Sequence, residues 1–439
     1  MEKKQIIIIA VAAILIAAVA IGLVMHFSNS ANADEKPITG LLLVHGALNY
    51  EWIPMETIDI SAVEAFYAAF GISPLERTTD ASNADINNWT LWVLQRGASN
   101  WTSISLADAE NVILSDYDGV AWSFGAHPSI SRDASGVSLF TMAGTKNRIV
   151  CLSAGITEMT AAIAGDSIVG VDAWSTYPTW IEQRVADGTI RHVGGYWTAV
   201  SFEDIVAVRP DLVIMDGDVT GQETVINRLR ESGITVLVVS GHRGSIDSIR
   251  NDLLMIGLVT QNMDTANAIN ADMVDLTEKL TAYMNAHPGS GSRILIMMPP
   301  WGNNVWVAGQ GGVAGSALET LGLVNALDIR ESWANPTIES ISISNPDIVI
   351  VMGLHVREEA FTYEELLAHP ILGEMEAIQA GRVAILSDRA DDIMSRSGPA
   401  VIYALGILCY LATLNWDETS GGVYIGNDYM EHLRTLGIF

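Results

Sequence analysis

The chain has 439 residues, too many for one ordinary hydrophobic core and enough for roughly two to four domains. Its 51 Asp and Glu outweigh 23 Lys and Arg, and a formal charge of -28 repels nucleic-acid phosphates, which excludes nucleic acid as a partner. Cys151 and Cys409 each sit in an apolar run and read as buried free thiols, and no CxxC, HExxH or Cys/His cluster offers a metal site.

The amino end reads MEKKQ, then a 20-residue apolar run from Ile6 to Met25, then the polar SNSANADEKP. At about 1.5 Å per residue that run spans about 30 Å, the thickness of a bilayer's hydrocarbon. Lys3 and Lys4 place the amino end in the cytoplasm and everything after the run outside. Residues 1–27 are therefore expected to be a transmembrane anchor, with Ala31-Asn32-Ala33 as the alternative, a signal-cleavage site, and residues 28–37 a linker.

Residues 38–127 have the texture of a small α+β domain. GLLLVHG reads as a strand, ISAVEAFYAAFG as a helix that stops at Gly71, and NNWTLWVLQRG and ENVILSDYDGVAWSFG as further strands. Trp89, Trp92, Trp101 and Trp122 suit its core, and Asn88 and Asn100 open glycosylation sequons. The Ser-, Gly- and Thr-rich stretch 128–146 reads as a linker.

From 147 to 260 strands and helices alternate: RIVCLS, TEMTAAIAG, SIVGVDAW, FEDIVAV, DLVIMDG, ETVINRLRESG and ITVLVVSG. Continuous Val/Ile/Leu runs are what a parallel sheet with helices on both faces requires. One long helical stretch follows over 261–288, stopped by Pro288 and Gly289, and a second α/β series occupies 289–439.

The two series share a phrase: FEDIVAVRPDLVIMDG at 202–217 returns as IESISISNPDIVIVMG at 338–353. In each copy proline ends a short helix and a buried strand follows the aspartate. Ser201 and Thr337 are N-caps, which puts Glu203 and Glu339 in the first helical turn, where a carboxylate favours the dipole by about 0.3 to 1 kcal/mol. That accounts for an acid somewhere in the turn, but not for a glutamate at the same position twice.

RIVCLSAGITEMTAAIAGDSIVGVDAWSTYP followed by VGGYWTAVSFEDIVAVRPDLVI resembles the helical-backbone solute-binding proteins of ABC importers, which take up vitamin B12, haem and ferric siderophores. The resemblance runs from about residue 147 to the carboxyl end. It implies an α/β fold of two Rossmann-like lobes joined by one long helix, no enzymatic activity, and a place at the cell exterior or in the periplasm. It also implies a partner, the permease dimer with its cytoplasmic ATPases, whose arginines receive one glutamate per lobe, here Glu203 and Glu339. A partner with two-fold symmetry needs the same charge presented twice. The segment WTLWVLQRG through LSDYDGVAWSFG resembles the carboxy-terminal domain of the transcobalamin type.

In open α/β sheets ligands lie beyond the carboxyl ends of the strands. Those positions give Trp174, Tyr177, Tyr196, Trp197, Asp216 and His242, with Arg243, in the first lobe. The second lobe gives Trp301, Trp306, Trp333, His355, Asp388, Arg389 and Arg396. So many aromatics suit a broad, flat, partly apolar ligand. By resemblance to vitamin B12-binding members of the family, Tyr177, Trp197, Trp306, Trp333 and Asp388 fall on matching positions, whereas Asp216 stands where those members have a tryptophan.

The implied cargo is a corrinoid, carried as a ligand rather than kept as a cofactor. Haem is the alternative, with Tyr177, His242 and His355 as iron ligands, and Arg243, Arg389 and Arg396 are a modest supply of cations for a ferric siderophore. GQGGVAG at 309–315 mimics a dinucleotide fingerprint but lacks the ribose-binding acid, and no nucleophile–base pair or metal cluster supports an enzyme.

Overall fold

The computed structural model describes residues 38–46, 49–71, 73–75, 89–195, 200–217, 222–241, 244–287, 289–353, 360–419 and 421–439. The expected membrane anchor and Asn88 lie outside these residues, as do Tyr196, Trp197, His242, Arg243 and His355. Among the described residues no helix is long and apolar enough to cross a membrane. The chain divides into two compact units: residues up to 132 apart from 48–50, together with 136–143, and the remainder.

In the first unit, strands β1 (Gly40–His45), β2 (Asn49–Pro54), β3 (Trp89–Leu94), β4 (Thr102–Ile104) and β5 (Gly119–Phe124) form one sheet in the order β2-β1-β5-β3-β4. Strand β1 runs parallel to β5 and β3 antiparallel to it, so the sheet is mixed. Helix α1 (Ala62–Phe70) starts in a capping box in which Ser61 Oγ accepts from Glu64 N–H and Glu64 accepts from Ser61 N–H. It ends at Gly71 in the left-handed conformation, as its sequence predicts. Trp122 is fully buried and donates its indole N–H to Ala62 O at 3.0 Å.

The stretch marked by composition as a linker is packed rather than free. Ile130, Leu139 and Phe140 are buried, and Trp101 donates to Ile130 O at 3.1 Å. Serine and glycine dominate its count, but these three apolar residues fix its place.

The second unit opens with β6 (Ile149–Cys151), α2 (Ala154–Ala164), β7 (Ile168–Val171), α3 (Trp180–Ala186) and β8 (Arg191–His192). It continues with α4 (Phe202–Ala207), β9 (Leu212–Asp216), α5 (Glu223–Glu231), β10 (Thr235–Val239) and α6 (Ile246–Thr260). These strands form a wholly parallel sheet, β10-β9-β6-β7-β8. The 24-residue α7 (Met263–Ala286), about 36 Å long at 1.5 Å per residue, then leads out of this half. Its buried Ala266, Asn270, Met273, Leu280 and Met284 recur every three to seven residues, giving one stripe toward its neighbours.

The other half contains β11 (Arg293–Met297), β12 (Val307–Ala308), α8 (Val313–Thr320), β13 (Val324–Asn325), β14 (Trp333–Ala334), α9 (Ile338–Ser342) and β15 (Ile348–Val351). After these come α10 (Tyr363–Leu367), α11 (Glu376–Gln379), β16 (Val383–Leu386), α12 (Asp388–Ser395), α13 (Val401–Thr413), β17 (Val423–Ile425) and α14 (Tyr429–Arg434). Its sheet runs β14-β12-β11-β15-β16-β17, with β13 also paired to β11. The parallel run β11-β15-β16 matches β6-β9-β10 of the first half. Helix α7 packs against α6 and α13.

The repeated phrase folds alike in both halves. Ser201 and Thr337 cap α4 and α9 by accepting from Asp204 N–H and Ser340 N–H. Arg209 and Asn345, each before the proline, turn the chain with φ of 50° and 47°. A residue before proline is disfavoured in the right-handed helical region, and the left-handed one reverses the chain instead. The following aspartate anchors the first strand of its half: Asp211 accepts from Arg148 N–H and Asp347 from Arg293 N–H. Those arginines reach back, Arg148 to Val208 O and Arg209 O and Arg293 to Ser344 O and Asn345 O. Each helix end is thus tied to its own sheet by one arginine.

Candidate functional site

A cavity of about 650 Å³ lies between the two sheets of the second unit, within the usual size range for small-molecule sites. Its floor is made by residues at strand ends: Asp172, Met298 and Met352 directly follow strands, Ser153, Gly241 and Gly353 come one residue later, and Asp216 is the last residue of β9. A parallel sheet leaves its strand-end carbonyls and loops open on one side, and both halves turn that side toward the cavity. Trp174, Trp306 and Trp333 stand in the wall, the first two 37% and 46% exposed, so their rings offer apolar surface that the fold leaves uncovered.

Of the candidates named from sequence, Trp174, Asp216, Trp306, Trp333 and Arg396 line this cavity. Tyr177 and Arg389 do not; they pack on each other, with the guanidinium 3.4 Å from the ring centroid. Arg389 is engaged elsewhere because Glu158 Oε2, on α2 of the opposite half, accepts from it at 3.1 Å. Trp301 is 87% exposed on a turn, and Asp388 is exposed at the start of α12; neither lines the cavity. Position at a strand end does not fix the direction of a side chain, and these two point out.

Four methionines, Met159, Met298, Met352 and Met394, complete the apolar wall and were not among the expected residues. Met298 and Met352 follow β11 and β15 directly, the same signal that marks Asp172, also unforeseen. A thioether has no polar demand and three rotatable bonds, so it adapts to an irregular ligand face.

The polar groups are few and buried. Asp172 is 1% exposed; its Oδ1 accepts from Ser175 Oγ, itself 2.7 Å from Thr157 Oγ1, and its Oδ2 has no partner. Burial pushes its pKa above the usual carboxylate range. Asp216 is also buried and packs against Gly241, which has φ of 74° and no room for a side chain beside that carboxylate. Behind it Asp252 accepts from Ser240 N–H and Oγ, both at 3.0 Å, and burial pushes its pKa up to about 7. Among the described lining residues Arg396 is the cation: it pairs with Asp392 at 2.7 Å and donates to Thr176 Oγ1 at 3.1 Å, while its Nη1 is buried without a partner.

Contacts between the halves close one side of the cavity. Glu158 Oε1 accepts from Ala400 N–H at 3.0 Å while Oε2 holds Arg389. Gly155 lies so near that a Cβ would meet Ser397 O at 2.5 Å. Among the described residues no group of three metal-ligating side chains occurs, and both thiols are buried and free, their pKa values pushed up to about 12 by burial.

The aromatic and thioether cleft lies between two α/β halves, beyond the carboxyl ends of their parallel strands. The chain belongs to the periplasmic binding protein family, whose model matches residues 149–390, and it is a solute-binding protein rather than an enzyme. It is 28% identical over 207 residues to the vitamin B12-binding protein of Salmonella choleraesuis, covering 47% of this chain and 72% of that one. Its fold is similar to a periplasmic haem-binding protein, BhuT, solved with two haems, at a TM-score of 0.52 and 25% identity, covering 62% of this chain and 98% of that one. It is also similar to the vitamin B12-binding protein BtuF of Vibrio cholerae, at a TM-score of 0.51 and 18% identity over 62% of this chain and 99% of that one.

Proposed function

We propose that this chain captures a corrinoid in the cleft outside the cytoplasmic membrane and delivers it to the permease dimer of an ABC importer. The observation that supports this best is the wall of Trp174, Trp306 and Trp333 with four methionines above two buried carboxylates, Asp172 and Asp216. A corrinoid is a broad ring rimmed by neutral amides, whose N–H groups suit carboxylate acceptors. Haem carries two carboxylates of its own, which call for cationic or N–H donors rather than for further buried acids. The single observation favouring haem is the unpartnered Nη1 of Arg396, a donor suited to a propionate.

Docking is proposed through Glu203 and Glu339, both exposed in the first turns of α4 and α9. The amino-terminal run 6–25 is proposed to hold the chain at the membrane. The first unit is proposed as a second corrinoid-facing module, with a shallow hollow of about 470 Å³ lined by Trp92, Ser123 and His127 as its contact.

Absorption titration of residues 34–439 with hydroxocobalamin, cobinamide and haemin tests the cargo. Corrinoid binding at micromolar concentration with quenching of tryptophan emission is expected. A response to haemin alone, or to none of the three, refutes the corrinoid reading.

A further inference from the structure

The two proposed docking helices differ in what surrounds their glutamates. Glu203 is paired with Arg228 at 3.2 Å, and the same guanidinium lies 3.9 Å from the Phe202 ring centroid. An arginine held between an aromatic face and the docking carboxylate therefore already occupies the first-half position. Glu339 has no ion-pair partner among the described residues. One exposed apolar side chain stands near it instead. Ile343 follows it by four residues, one helical turn along the same face of α9, and is 81% exposed. In the first half that position is Ala207.

The turn that carries Trp301 is fastened to the segment leading into α9. Trp301 closes it by reciprocal backbone hydrogen bonds with Asn304 of 2.9 and 3.1 Å. His369 Nε2 braces the turn at Gly302 O, 3.1 Å away, and Asn335 Nδ2 donates to Asn304 Oδ1. Asn335 lies two residues before the Thr337 cap, so the turn is fastened at the end of α9 that carries Glu339. Trp301 and Ile343 are the two most exposed large apolar residues among those described. A braced turn that presents a bare indole spends order on keeping that ring in water, which stability alone does not call for.

We propose that Trp301, Ile343 and Glu339 form the anchoring half of the permease-docking surface, with Glu203 as the weaker half, masked by Arg228 until docking. The inference rests on the docking reading above. The partner feature that fits is an arginine set in an apolar surface. On this proposal its guanidinium pairs with Glu339 while the surrounding apolar surface covers Ile343 and Trp301; Arg228 shows within this chain that one guanidinium can pair with such a carboxylate and lie over an aromatic ring.

The test uses the full chain in membranes that contain its importer, with a benzophenone amino acid at position 301 or 343 and at the exposed Glu278 of α7 as control. Adducts from 301 and 343, mapped to the outer face of the permease, and none from 278, are expected. Co-purification with the permease should fall about 10- to 100-fold in W301A and I343S, with hydroxocobalamin affinity and melting temperature unchanged. R228A should raise it about two- to fivefold at low salt by freeing Glu203. If E203Q and E339Q leave co-purification unchanged, the docking reading itself fails. If those two abolish it while W301A and I343S do not, docking stands and this anchoring role is refuted. A loss of hydroxocobalamin affinity in W301A, or adducts with lipid alone, also refutes it.

Discussion

The pair that joins the two halves beside the cleft can be broken from either side. In E158Q the Arg389 guanidinium keeps its charge but loses its counter-ion, and Arg396, which also feels Glu158, stands nearby with the same sign. At the observed 3.1 Å and an effective dielectric of about 20, the Coulomb attraction is about 5 kcal/mol before desolvation. Side chains only 6% and 12% exposed gain little from water when separated. Removal of one partner is therefore expected to cost about 3 kcal/mol, near the lower edge for buried pairs, because Ala400 N–H still finds an acceptor in glutamine. R389M should cost about 2 kcal/mol, and E158Q/R389M together less than the sum of the two, because neither charge is then stranded. Urea unfolding gives the energies, and hydrogen exchange at 396–400 should quicken in both single variants. Single costs below about 1 kcal/mol that add without coupling would refute a pair that clamps the halves.

Other tests bear on separate parts of the molecule. W174A and W306A should each weaken ligand binding about tenfold by fluorescence or calorimetric titration with melting temperature little changed, since both rings are partly exposed. G155A should destabilise the chain and loosen the cleft, because the new methyl meets Ser397 O, a backbone atom that cannot step aside, and a thermal melt will register it. Asp252 titrates near 7 folded against 3.8 ordinarily, so the folded state holds its proton more tightly. The stability that proton supplies is complete below about pH 4 and is lost as pH rises through 7. D252N keeps the acceptor for Ser240 and should be more stable than the parent at pH 8, by up to about 4 kcal/mol, and not at pH 4. Denaturant curves at both pH values check it.

The α/β order was legible because continuous Val/Ile/Leu strands and amphipathic helices are local patterns, and α1, α7 and both copies of the repeated phrase appear where those patterns put them. The clamp was not. Glu158 and Arg389 lie 231 residues apart, and nothing near either one in sequence names the other. Two rings singled out from sequence do line the cavity, Trp174 three residues past the end of β7 and Trp306 just before β12. The site was missed where methionine does the same work, since its residue type carries no chemical signal. Trp301 and Asp388 show the opposite limit, because a strand end gives the address of a side chain but not its direction.

Arg148 and Arg293 fasten α4 and α9 each to the first strand of its own half, with no tie from either helix to the other half through these arginines. A rotation of one half against the other would therefore move the helix that half bears. On the docking reading proposed above, the spacing between Glu203 and Glu339 would serve as a calliper on the cleft, and a partner gripping both carboxylates at once would gauge from outside how far the jaws are open.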